Sequence, residues 1–132
     1  MPEITNANLT LTESENQVTI RVRYDVSFSP FERTLGDLGL NYHTHTSVHG
    51  IDGAVVGGSL AGIDFGTPSF AVTAGNSDQV FHRDESRTVP RSALQEDPVG
   101  DPDELKVKIR VHSPIPAENV EEFTDQEILT SA

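Results

Sequence analysis

The chain has 132 residues, 35% of them hydrophobic, with 21 acidic residues against 9 basic ones and a formal net charge of −12. That length suits one domain with its own core, and the charge argues against nucleic-acid or anionic-membrane binding, which releases counterions through Lys and Arg contacts. With no cysteine in the chain, disulfides, thiolate metal sites and cysteine nucleophiles are excluded.

The opening stretch "MPEITNANLTLTESE" has no basic patch followed by an apolar run. No apolar segment approaches the ~20 residues that span a bilayer. A cytoplasmic protein without a membrane contact is the expectation. "NLTL" (8–11), the polar turn "ESEN" and "VTIRVRYDVSF" (18–28) then read as a hairpin. In its second arm Val18, Ile20, Val22, Tyr24, Val26 and Phe28 take one face, and Thr19, Arg21, Arg23, Asp25 and Ser27 the other. A period of 2 held this long means a strand buried on one side and wet on the other, typical of antiparallel sheets.

"SPFERTLG" (29–36) predicts a helical turn or two, with Ser29 as N-cap, Pro30 at the first position and Glu32 completing a capping box. From Leu38 to Val48 another strand is expected, with Leu38, Leu40, Tyr42, Thr44, Thr46 and Val48 inward. In "GIDGAVVGGSLAGIDFG" the Gly57–Gly58 pair suggests a tight turn between two short strands. "SFAVT" and "QVFHR", flanking "AGNSD", read as a second hairpin. "LKVKIRVH" (105–112) alternates as cleanly as 18–28, and "RSALQED" and "AENVEEF" suggest short helical turns. The fold expected is all-β: a single-domain antiparallel β-sandwich over 1–132, immunoglobulin- or fibronectin-like in architecture, with about 7–8 short strands. Residues 114–132 are expected to be a C-terminal tail packing on the domain or on a partner.

The loudest chemical signal is "NYHTHTSVHGIDG" (41–53), which holds three of the five histidines. If Tyr42 points inward, His43, His45 and His49 share the outer face, so a wet strand already explains their even spacing. Residues two apart lie roughly 6.6 Å from each other on a strand, so His43 and His45 reach one ion. His49 is roughly 13 Å beyond His45 and joins only if the chain bulges or turns; a ligand from His82, His112 or Asp25 is the alternative. Pairing of this strand with 18–28 sets Arg21 and Arg23 beside the imidazoles and disfavours a cation; placement in different sheets removes that objection. "H-T-H" followed by His49 resembles the first cupin motif, which implies a metal-binding barrel domain. His49 stands where that motif has Glu, and no second motif follows. "YHTH" also resembles the copper-binding His-x-His of copper–zinc superoxide dismutases, without their bridging His or cysteines.

"QEDPVGDPDEL" collects Glu96, Asp97, Asp101, Asp103 and Glu104. Carboxylates at this density suit calcium, although the EF-hand spacing is absent and a solvated acidic loop is the simpler expectation. Ser47 with His45 or His49, and His82 with Asp84, are pairs a hydrolase uses, but no G-x-S-x-G elbow is present. Arg83, Arg87 and Arg91 recur every four residues, expected to face solvent or pair with Asp84 and Glu85. The function expected is a non-enzymatic binding or structural module contacting a protein partner or a second copy of itself, with no cofactor. The alternatives are a transition-metal domain centred on His43, His45 and His49, and calcium-dependent ligand binding through the 96–104 loop.

Overall fold

The computed structural model describes residues 1–52, 55–59, 65–93, 103–115, 118–124 and 127–129. Eight strands follow in order: β1 (Glu3–Glu13), β2 (Gln17–Phe28), β3 (His43–Asp52), β4 (Val55–Ser59), β5 (Gln79–Pro90), β6 (Asp103–His112), β7 (Val120–Phe123) and β8 (Glu127–Leu129). One helix, α1 (Pro30–Asp37), links β2 to β3. Every pairing is antiparallel, as the alternation requires. One sheet runs β1–β2–β5; the other runs β4–β3–β6–β7, with β8 also on β6. The chain is mostly β, and among the described residues no helix is long and apolar enough to cross a membrane.

The alternating residues do what their period dictates. Val18, Ile20, Val22, Tyr24, Val26 and Phe28 are at most 1% exposed, and Leu105, Val107, Ile109 and Val111 of β6 are fully buried. Both rows belong to one hydrophobic cluster that also takes in Tyr42, Val48, Phe70 and Val89. Burying each such side chain is worth about 1.5–3 kcal/mol relative to exposing it. Phe28 anchors the aromatic end, with ring centroids 4.8 Å from Tyr42, 5.3 Å from Phe70 and 5.7 Å from Phe81.

α1 begins as its sequence dictates. The Ser29 hydroxyl accepts from the Glu32 amide, and the Ser29 amide donates to Glu32 Oε1 at 2.8 Å. Glu32 is buried, and its other oxygen lies 2.5 Å from the amino group of Met1, which also reaches Glu118 at 3.0 Å. Burial alone pushes the Glu32 carboxyl up, but the ammonium and the Ser29 amide outweigh it and hold the group below the usual range.

Four expectations are corrected. β4 carries Gly57 and Gly58 within a strand that pairs with β3, in place of a turn between strands. "SFAVT" is no hairpin arm: it contributes one bridge, Ser69 to His43, while "QVFHR" opens a twelve-residue strand that pairs with β2 throughout. Phe70 and Tyr42 instead exchange a main-chain bond, N–H to carbonyl at 3.0 Å. "AENVEEF" yields strand β7, because its residues complete the ladder on β6. Leu38 is 79% exposed as the residue capping α1, so β3 begins at His43 and not at Leu38. The tail beyond 113 supplies β7 and β8 to the second sheet.

Arg33 on α1 fixes the segment that leads into β5. Its guanidinium donates to the carbonyls of Thr73 at 2.7 Å, Ser77 at 2.8 Å and Ala74 at 3.1 Å. Gly75 lies directly beneath it, where a Cβ meets the guanidinium carbon and both terminal nitrogens. Gly75→Ala must therefore displace the same hydrogen bonds that Arg33→Ala removes. We expect each single variant to lose about 1–2 kcal/mol. The double variant is expected to lose no more than either alone, as chemical denaturation in a double-mutant cycle will read; full additivity contradicts this account.

Candidate functional sites

Tyr42 is fully buried, and with it Thr44, Thr46 and Val48 turn inward. The alternate residues of β3 therefore face out. The register sets His43 opposite His112, His45 opposite Arg110, Ser47 opposite Lys108 and His49 opposite Lys106. β7 adds Glu121 opposite Arg110 and Phe123 opposite Lys108. Four of the five histidines and three of the nine Lys/Arg residues thus share one sheet face. Arg21 and Arg23 lie in the other sheet, and Arg110 takes the neighbouring position that they had been given.

The face is not uniformly wet. His43 and His45 are half-buried, whereas Ser47 and His49 are buried. The Ser47 hydroxyl and His49 Nε2 are 2.7 Å apart, and the edge of His49 meets Phe123 at 6.1 Å between centroids. The His43 and His112 rings stack across the strands at 5.7 Å. Desolvation, then the charges of Arg110, His43 and His45, lower the His112 pKa. Glu121 partly offsets the cations, 3.6 Å from Arg110 and 4.0 Å from Lys108. Strand geometry keeps His49 away from the His43–His112 pair, and among the described residues no group of three or more His, Asp or Glu is placed to hold a metal ion. Of the acidic cluster, Glu96, Asp97 and Asp101 lie outside the described residues; Asp103 and Glu104 open β6 and pair with β8.

Between the sheets runs a polar seam that the sequence did not announce. The Tyr24 hydroxyl lies 2.8 Å from Thr44 Oγ1 and donates to Glu85 Oε1 in a short bond, while Thr46 Oγ1 donates to Glu85 Oε2 at 3.5 Å. Two buried threonines on β3 thereby find partners on the other sheet, as buried hydroxyls must. Burial raises the Glu85 carboxyl above its ordinary range, although Tyr24, Arg83 and Thr46 each pull it down. Arg83 beside it lies over the Phe70 ring at 4.4 Å and donates to the Ser69 carbonyl at 3.0 Å.

On the outer face of the first sheet lies a depression of ≈ 420 Å³, lined by Asn6, Asn8, Arg23, Tyr24, Asp25, His82, Arg83 and Asp84. A bulge in β1 shapes it: between the pairs Thr5–Asp25 and Asn8–Arg23, two residues, Asn6 and Ala7, oppose the single Tyr24. Asn6 takes φ 55°, a left-handed conformation that Asn tolerates better than most residues. Asp25 accepts from Asn6 Nδ2 at 2.8 Å and sits 2.5 Å from His82 Nδ1. Those two contacts hold its carboxyl below the usual range. Asp84 is gripped by Arg21 through Nε at 2.9 Å and a terminal nitrogen at 2.5 Å, which lowers it likewise. The expected pairing of His82 with Asp84 is therefore replaced by two pairs that only the β2–β5 register defines. Arg91 pairs with Glu13 and the Ser14 carbonyl, not with the acids of β5.

No protein-family model matches the chain, and no curated protein or solved structure matches it. The cupin and dismutase resemblances thus rest on their short histidine stretch alone.

The seam generates two expectations. Tyr24→Phe leaves Thr44 and Glu85 without their shared partner and is expected to cost about 1–3 kcal/mol in denaturant unfolding. Glu85 has its folded pKa raised, so its favourable contribution is complete below the unfolded value and fades as pH rises through the folded one. Glu85→Gln keeps an acceptor for Tyr24 and removes that titration. The variant is expected to match the parent near pH 4 and to gain on it toward pH 8; melting curves across that range check the sign.

Proposed function

We propose that the chain is a non-catalytic binding module: a β-sandwich, immunoglobulin- or fibronectin-like in architecture, that engages an acidic segment of a protein partner through the outer face of β3, β6 and β7. The observation that carries this reading is the segregation of charge. A chain of net charge −12 gathers Lys106, Lys108 and Arg110 on one sheet face, with the rings of His43, His45 and His112 beside them. Fields from exposed charges are screened within about 10 Å at ordinary salt. A local cationic face therefore attracts a short acidic segment while the rest of the surface repels extended polyanions. Phe123, 37% exposed beside the cations, supplies an apolar anchor.

A capped hexaglutamate peptide tests the proposal. At about 50 mM salt it is expected to shift the signals of His43, His45 and Arg110, to bind at least about tenfold more weakly to a Lys108→Glu/Arg110→Glu variant, and to dissociate as salt rises. Binding unaffected by charge reversal, or none at low salt, rejects the reading. Sedimentation across concentration distinguishes a second copy as the acidic partner.

One observation favours a second reading, transition-metal binding: the stacked cross-strand pair of His43 and His112, with His45 two residues along the same face. Nitrogen ligands at two such positions suit Zn²⁺ or Cu²⁺, against which Arg110 acts. Titration with Zn²⁺ should then depend on His43 and His112 and be indifferent to His49→Ala; the reverse dependence rejects that centre.

A further inference from the structure

We infer that the depression at the β1 bulge is a binding site for a small organic carboxylate, held by the Arg23 guanidinium with the His82 ring alongside. This site lies on the sheet opposite to the proposed partner face and does not depend on it.

The inference follows from counting hydrogen-bonding capacity. Acids line the depression, yet their oxygens are occupied. Asp25 has one oxygen on Asn6 and the other on His82; Asp84 has both on Arg21. The Asn8 amide is committed to the Asn6 carbonyl at 2.9 Å. Among the charged groups, what remains is the Arg23 guanidinium. Arg23 is exposed on the outer face of β2, opposite Asp84 in the register; its charge helps to lower the Asp84 carboxyl, but it makes no hydrogen bond among the described residues. Its planar fork is built for bidentate contact with a carboxylate. His82, 79% exposed, is held through Nδ1 by Asp25 and lines the depression beside Arg23. Tyr24 and Arg83 also line the depression, although Tyr24 is buried and Arg83 lies over the Phe70 ring.

Size and direction select a small molecule. A volume of ≈ 420 Å³ lies within the range of small-ligand pockets. The depression crosses three strands and follows no free edge, so a peptide main chain finds no ladder to extend. A singly charged carboxylate group also suits one unpaired guanidinium better than a phosphate dianion does, because Asp25 and Asp84 stand beside it and repel charge in proportion. The bulge that exposes Asn6 at positive φ is the local distortion that makes room.

Nuclear magnetic resonance titration with sodium butyrate, a monoanion, tests this, following the Arg23 side-chain N–H and the His82 ring at ionic strength held constant with sodium chloride. We expect a saturable shift at both residues with half-saturation near about 1 mM. Arg23→Gln is expected to weaken it at least about tenfold while leaving the melting temperature close to the parent, since the side chain is exposed and unpaired. A capped peptide carrying a single Glu separates the two sources of a carboxylate and is expected to leave both signals unmoved. The inference is overturned by any of three results: no saturable shift, a shift that chloride alone reproduces, or one that Arg23→Gln leaves intact. Equal binding of the capped peptide overturns the assignment to a small free acid. Because these reporters sit on the first sheet, failure here leaves the hexaglutamate test on β3 and β6 undisturbed, and the converse also holds.

Discussion

Six side chains of β2, from Val18 to Phe28 in steps of two, are shut off from water, and four on β6, from Leu105 to Val111, join them in one cluster. Sliding either strand by one residue turns its whole buried row into solvent, so the register is held by every member at once. The same period fixes the other face. Because Tyr24 points in, Arg23 and Asp25 point out, opposite Asp84 and His82 in the register; because Tyr42 and Thr44 point in, His43 and His45 point out. Both candidate sites are thus consequences of where the core residues sit.

This explains which parts were legible. The interior face of 18–28 and of 105–112, the capping box of α1 and the inward turn of Tyr42 follow from local pattern, and local pattern was enough. Partnerships between strands follow from register over long separations, which no single strand encodes. Asp25 and His82 are 57 positions apart, and their contact requires β2 and β5 to be neighbours. His112 faces His43 for the same reason, whereas His49 shares the parity of His43 and still cannot approach it along an extended strand. The bulge at Asn6 left no mark in the sequence beyond a residue type that accepts positive φ.

One strand, β7, and the second half of another, β5, were missed because their composition disguises them. β7 reads as helix in isolation, since "VEEF" has neither alternation nor β-branched density; its pairing with β6 and the contacts of Glu121 with Arg110 and Lys108 decide otherwise. The second half of β5, "DESRTVP", is too charged to look like strand. It sits at the edge of its sheet, where charge is tolerated on both faces.

That edge also bears on how the molecule meets others. A twelve-residue edge strand is ordinarily an invitation to pair with another chain. β5 directs Arg83 and Glu85 toward the interior, where Arg83 covers Phe70 and Glu85 serves Tyr24 and Thr46. Inward-facing charges on an edge are a recognised obstacle to adding a further strand, because the newcomer must desolvate them. Edge-to-edge self-association through β5 therefore works against the same seam that joins the two sheets. The outer face of β3 and β6, proposed above for an acidic partner, lies away from that seam.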